Sequence, residues 1–221
     1  MNKSQIIQRM YDQRVLPVFR TDRTDKVLPA AQAFVAGGMS MVEFTMTMPR
    51  ALELIERGRA ELPPHAVLGA GTVLDAPTAR AAISAGAQFV VSPGLAPEVI
   101  EVAHRYGVPV VPGAATPTEI MEALKYGVDV IKVFPANVNF EWFADLVAPF
   151  GQVRFMAAAG GITPPVAGRY FAAGAAVVTI AGQNYDKAAF EAGDFARLEM
   201  TARRYLTDLN NLCTQSTEAI A

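Results

Sequence analysis

Lys132 is the one cation in the run Val130-Ile131-Lys132-Val133-Phe134-Pro135. In an extended strand its side chain shares a face with Val130 and Phe134, while Ile131 and Val133 point the other way. Such a lysine either snorkels to water at the strand end or stays among apolar neighbours. There desolvation lowers its pKa and frees the amine to attack a carbonyl. Other groups that could act with it end further apolar runs: Arg20 after VLPVF, Glu43 and Thr45 in MVEFT, Gly69-Ala70-Gly71-Thr72, Ser92-Pro93, Gly113, and Gly160-Gly161. One potential nucleophile, one carboxylate and one guanidinium thus stand among small residues. No pair of histidines or carboxylates has metal-ligand spacing. His65 falls in a loop and His104 in a helix, where surface or capping roles suit both.

Those residues need a scaffold that brings strand ends together. Short β-branched runs at Val15-Arg20, Met41-Thr45, Ala66-Gly71, Gln88-Ser92, Val108-Pro112, Asp129-Phe134, Val153-Ala157 and Ala176-Ile180 alternate with helical patterns. The spacing of about 20 to 26 residues is that of a repeated βα unit, and the nearly continuous apolar strands suit a parallel sheet covered on both faces. Helix starts are marked by Asp75 before APTARAAISAG and by Thr116 with Glu119 three residues on, a capping-box pattern. Gly37, Gly86, Gly107, Gly127 and Gly174 follow helical patterns, where left-handed C-caps are wanted. Eight βα units in one domain over 1–221 predict a minimal α/β (β/α)8 TIM barrel. An N-terminal helix at about 4–13 covers its bottom and a C-terminal helix runs over about 194–212; a doubly wound open sheet is the alternative. In a barrel, chemistry collects where the strands end, which is where Arg20, Glu43 and Lys132 fall.

Composition narrows the function classes. With 52% hydrophobic and 18% charged residues over 221 positions, the chain can bury a large core. A net charge of −2 gives no electrostatic case for nucleic acid or an acidic membrane surface. The single cysteine, Cys213, sits in a polar stretch, forms no internal disulfide framework and fits a reducing compartment. MNKSQIIQRMYDQR reads as a polar amphipathic helix rather than a signal peptide. No apolar run approaches the roughly 18 residues that span a bilayer. A soluble, cytoplasmic protein is expected.

The segments VLPVFR, VEFTMTMP, VLGAGTVLD, AQFVVSPGL, VPGAATPTE, VIKVFPA and FMAAAGGITP, with the glycine-containing stretch before Asn184, follow one order from about residue 5 to 185. In that order, with the lysine flanked by Phe-Pro, the chain resembles the 2-keto-3-deoxy-6-phosphogluconate (KDPG) and 4-hydroxy-2-oxoglutarate (KHG) aldolases. These are class I enzymes that work through a lysine Schiff base. The resemblance implies a pyruvate-dependent aldolase that splits a 2-keto-3-deoxy sugar acid or 4-hydroxy-2-oxo acid to pyruvate and an aldehyde. It makes Lys132 the Schiff-base lysine and Glu43 the general acid/base, and it needs no metal or other cofactor. Arg20 and Thr72 would hold the keto-acid carboxylate, with Pro93 and Phe134 walling the Schiff base. Members that carry Glu-x-x-x-Arg have an arginine where this chain has Thr47, which leaves Arg20 as the pocket arginine. The family is commonly trimeric, so a homo-oligomer is expected.

Two departures bear on the aldehyde half. Where KDPG-cleaving members show Pro-Thr-Gly-Gly, this chain reads Ala157-Ala158-Ala159-Gly160-Gly161; where phosphate-using members show Gly-Ser, it reads Gly182-Gln183. Backbone amides at Gly160, Gly161 and Gly182 could cradle an anion, but two hydroxyl donors are gone, each worth about 1.5–3 kcal/mol toward a charged group. A neutral end, a carboxylate or a sulfonate fits Gln183 and Asn184 at least as well as a phosphate. The same iminium chemistry would serve a decarboxylase or dehydratase of keto acids, and a non-catalytic keto-acid-binding barrel is the third reading.

Overall fold

The computed structural model describes residues 1–137 and 139–218, without the side chains of residues 183, 184 and 213–218. The strands are β1 (Val15–Phe19), β2 (Met41–Thr45), β3 (Val67–Gly71), β4 (Val90–Val91), β5 (Val110–Val111), β6 (Gly113–Ala114), β7 (Ile131–Val133), β8 (Phe155–Ala157) and β9 (Ala175–Ala181). The helices are α1 (Lys3–Gln13), α2 (Thr24–Ala36), α3 (Ala51–Glu61), α4 (Ala76–Ser84), α5 (Pro97–Arg105), α6 (Pro117–Lys125), α7 (Phe140–Val147), α8 (Pro164–Ala172), α9 (Gly182–Tyr185), α10 (Lys187–Ala192) and α11 (Phe195–Glu218).

All strand pairs are parallel, in the order β5-β4-β3-β2-β1-β9-β8-β7-β6. The expected fifth strand, Val108–Pro112, is divided: β5 pairs with β4, β6 pairs with β7, and Pro112 stands between them. Proline has no N–H to continue a ladder, but its carbonyl accepts the Lys132 N–H at 2.8 Å. The sheet therefore closes through Pro112, and nine strand segments fill the eight positions of a barrel.

Two apolar layers follow from the strand period of two. Inward-facing Leu16, Met41, Val67, Phe89, Val91, Val111, Val130, Met156 and Val177 form one cluster with Ile6 and Met10 of α1. The N-terminal helix thus plugs the barrel floor, and the Gln13 side chain ties its end to the Met41 N–H and carbonyl. Outward residues such as Phe44, Leu68, Val90, Ile131 and Val133 pack under the helices. Asp75 caps α4 as expected. Thr116 caps α6, but Glu119 reaches back to the Ala115 N–H rather than to that of the cap residue.

The C-terminal helix begins within a residue of expectation and runs six residues past Leu212, burying Leu198, Ala202, Tyr205 and Leu209. One glycine expectation is corrected. Gly37 is right-handed (φ −72°), and the left-handed turn falls on Gly38 (φ 105°). Gly37 is small for another reason: a Cβ there would lie 2.7 Å from the Cβ of Ala202 on α11. Among the described residues no helix is long and apolar enough to cross a membrane.

Candidate active site

The inward stripe that forms the floor continues upward into polar residues. On β2, Met41 lies in the floor and Glu43 stands two residues above it; on β7, Lys132 stands two above Val130. Both reach the barrel interior from opposite walls, at 1% exposure for Glu43 and 8% for Lys132. Glu43 Oε2 has no hydrogen-bond partner among the described residues. Burial pushes the Glu43 carboxyl above its usual range, with Lys132 and Arg20 pulling it partly back. Burial also drives the Lys132 ammonium below the ordinary lysine value; Glu43 opposes this and Arg20 adds to it. The two groups thus share one desolvated interior, and each favours the charged form of the other.

Two glycines on β3 make that space. A Cβ on Gly69 would lie 2.2 Å from the ring of Phe89, which fills the floor beside it. A Cβ on Gly71 would lie 1.7 Å from Glu43 Oε1. Hydrogen is the only side chain that lets the carboxylate lie against this backbone. Gly71 was visible in the motif GAG at a strand end, yet nothing in the sequence alone tied it to Glu43.

Arg20 continues the inward stripe of Leu16 and Val18 past the end of β1. Its guanidinium donates to Thr72 Oγ1 at 2.8 Å, joining the ends of β1 and β3. Thr72 is held at φ 57°, a left-handed conformation costly for a β-branched residue. Phe134 places its ring centroid 4.9 Å from Lys132 Nζ and keeps 40% exposure, so it walls the lysine on the mouth side. Pro93 is less direct. Its carbonyl lies against Gly113, where a Cβ would meet it at 2.1 Å, and Gly113 is in register with Lys132.

Gly160 and Gly161 leave β8 as an exposed turn, with Gly161 at φ 73°. Residues 160–163, Ile180, Ala181 and Tyr185 enclose a cavity of about 250 Å³. Gly182 is buried, and a Cβ there would strike the ring of Phe19 at 2.8 Å, so its smallness serves packing. The side chains of Gln183, Asn184 and Cys213 lie outside the described residues. Thr45 turns to the Phe19 carbonyl and Thr47, and Ser92 to the Gly94 carbonyl. Among the described residues no three His, Cys, Asp or Glu side chains gather as metal ligands.

A parallel barrel whose mouth holds a desolvated amine beside a buried carboxylate is built for attack on carbonyl carbon. A family model described as KDPG and KHG aldolase matches residues 6–201. The KHG/KDPG aldolase of Escherichia coli K12 is 37% identical over 192 residues, 86% of this chain and 89% of that protein. The crystal structure of KDPG aldolase from Legionella pneumophila, with pyruvate captured at low pH as a covalent carbinolamine intermediate, matches with a TM-score of 0.80 at 26% identity. It covers 89% of this chain and 96% of its own. That of the Zymomonas mobilis ZM4 2-keto-3-deoxy-6-phosphogluconate aldolase with 3-phosphoglycerate has a TM-score of 0.76 at 33% identity, over 90% and 95%. The chain belongs to the KDPG and KHG aldolase family, whose members are lyases.

Proposed function

We propose that the chain is a class I, pyruvate-dependent aldolase in which Lys132 forms the Schiff base and Glu43 moves the protons. The observation that carries this reading is the burial of both Lys132 and Glu43 in the interior at the barrel mouth. An ordinary lysine keeps only about one amine in a few thousand unprotonated at pH 7, and each pKa unit of depression raises that fraction about tenfold. The free amine adds to the C2 ketone of a 2-keto-4-hydroxy acid, giving a carbinolamine. Loss of water, with Glu43 donating the proton, leaves the iminium. Glu43, now a carboxylate, takes the proton of the C4 hydroxyl. The C3–C4 electron pair moves into the iminium, the aldehyde departs, and an enamine remains. Protonation at C3 from Glu43 restores the iminium, and water releases pyruvate and the free lysine.

Arg20 and Thr72 hold the carboxylate in this reading, the guanidinium fork being matched to it. Burial lowers the Lys132 pKa, and the positive charge of Arg20 adds to that. The Phe134 ring face favours the cationic iminium. Pro93 acts through the backbone around Gly113. The chemistry as written uses no metal or organic cofactor. We further propose a cytoplasmic homo-oligomer, with a trimer as the specific expectation. Exposed Leu74 and Met121 support it by adding apolar surface, and light scattering in solution tests it. For the chemistry itself, Lys132→Met should abolish pyruvate release from a 2-keto-3-deoxy acid, followed by coupled reduction of the pyruvate; retained turnover would refute the assignment.

A further inference from the structure

The strand register places Glu43 and Lys132 in one layer of the barrel interior, and it places a third polar side chain there with them. Glu43 pairs with Gly69; two residues on, Gly71 stands level with Val91, as Ala70 pairs with Val90. Val91 pairs with Val111, and two residues on, Gly113 pairs with Lys132. Lys132 pairs with Met156 and Met156 with Val177; two residues on is Thr179. Thr179 pairs with Leu16, and two residues on, Val18 pairs with Glu43. Four equal steps close the circuit with a shear of eight. In a barrel of that shear, alternate strands each give one side chain to a layer. One layer therefore holds Glu43 of β2, Val91 of β4, Lys132 of β7 and Thr179 of β9. Lys132 faces Glu43 across it, and Thr179 stands between them on the wall opposite Val91.

Thr179 points inward with Val177, since Val178 and Ile180 pack outward under the helices. It keeps 6% exposure where Val177 keeps none, so its side chain reaches the open part of the interior, as that of Lys132 does. Among the buried serines and threonines, Thr45 and Ser92 donate to backbone carbonyls. The Thr179 hydroxyl makes no hydrogen bond among the described residues. Packing alone would be met by valine, which has the same shape and is common in such layers. A buried hydroxyl without a protein partner costs stability. Its position suits it to a group held at the centre of the layer, between the amine and the carboxyl.

We infer that Thr179 is a further catalytic residue, whose hydroxyl bonds the C2 oxygen of the keto acid while Lys132 adds and water leaves. This rests on the aldolase reading and adds a residue to it. In the dehydration, Glu43 gives its proton to Thr179 Oγ1 and the Thr179 O–H proton passes to the carbinolamine oxygen. The C2–O bond breaks with its electron pair, water departs, and the nitrogen lone pair closes the iminium. Thr179 ends as it began, and Glu43 ends as the carboxylate.

The experiment times iminium formation on Lys132 by quenching with borohydride after mixing with pyruvate. Thr179→Val, which keeps shape and strand preference, should lower the maximal rate about 10- to 100-fold at an unchanged half-saturating pyruvate concentration. Its Tm should equal or exceed that of the unaltered chain, because the lost hydroxyl has no protein partner. Thr179→Ser should restore the rate to within about threefold. An unchanged rate in Thr179→Val, a lowered Tm or failure to fold, or a lost rate that serine does not restore would overturn the inference and leave the aldolase reading standing. An unaltered chain that traps no pyruvate on Lys132 would overturn both.

Discussion

Gly71 and Glu43 are fitted to each other: a single carbon added to the glycine would stand 1.7 Å from Glu43 Oε1. The carboxylate is placed by an absence on the neighbouring strand, because nothing among the described residues bonds its Oε2. Gly71→Ala should therefore displace the proton-transfer group while the barrel still folds. A fall in kcat of about a hundredfold is expected, from the loss of a positioned acid/base. An unchanged circular dichroism spectrum and a near-normal pyruvate KM should accompany it, and an alanine variant with normal kcat would contradict the relationship.

The buried carboxylate also costs stability. Glu43 titrates near the ordinary value in the unfolded chain but keeps its proton to higher pH when folded. Stability contributed by this group is thus present at low pH and lost as pH rises through that window. Glu43→Gln removes the titration. It should raise Tm by about 2–4 °C for each kcal/mol recovered in a chain of this size, more at pH 8 than at pH 5, while slowing turnover and still forming the pyruvate adduct. A lower Tm at pH 8, followed by calorimetry, would count against it.

Charge neighbours of Lys132 should shift its titration in opposite directions. Arg20 lowers the lysine pKa and Glu43 raises it. The pH at which adduct formation with pyruvate reaches half its maximal rate should move up in Arg20→Met and down in Glu43→Gln. The Arg20 shift should shrink in salt, since that guanidinium is exposed. Stopped-flow or quench trapping across pH measures both, and shifts of the same sign would refute the electrostatic account.

Thr72 combines a strained backbone with the hydroxyl that meets Arg20. Thr72→Gly accepts the left-handed conformation freely and removes the hydroxyl together with the rest of the side chain. Pyruvate KM should rise about 3- to 10-fold with Tm held within a few degrees. A large loss of Tm with no change in KM would reassign Thr72 to the fold alone.

Strand alternation made Lys132 and Glu43 legible, because period two places Val130 with Lys132 and Met41 with Glu43 on the inward face. The eight-unit count gave the barrel, and the polar first helix gave its floor. What sequence did not carry was contact between strands distant along the chain. The match of Gly71 to Glu43, that of Gly69 to Phe89, and closure through Pro112 each depend on which side chain faces which. The left-handed turn assigned to Gly37 fell on Gly38 for the same reason: packing against Ala202 on α11 claims the first glycine.

The central claim is an amine at Lys132 free to condense with a ketone. Incubation with pyruvate and borohydride, followed by peptide mass mapping, tests it most directly. The account predicts one reduced pyruvyl adduct on the peptide containing Lys132, absent in Lys132→Met and retained in Glu43→Gln. No adduct, or an adduct on another lysine, would contradict it.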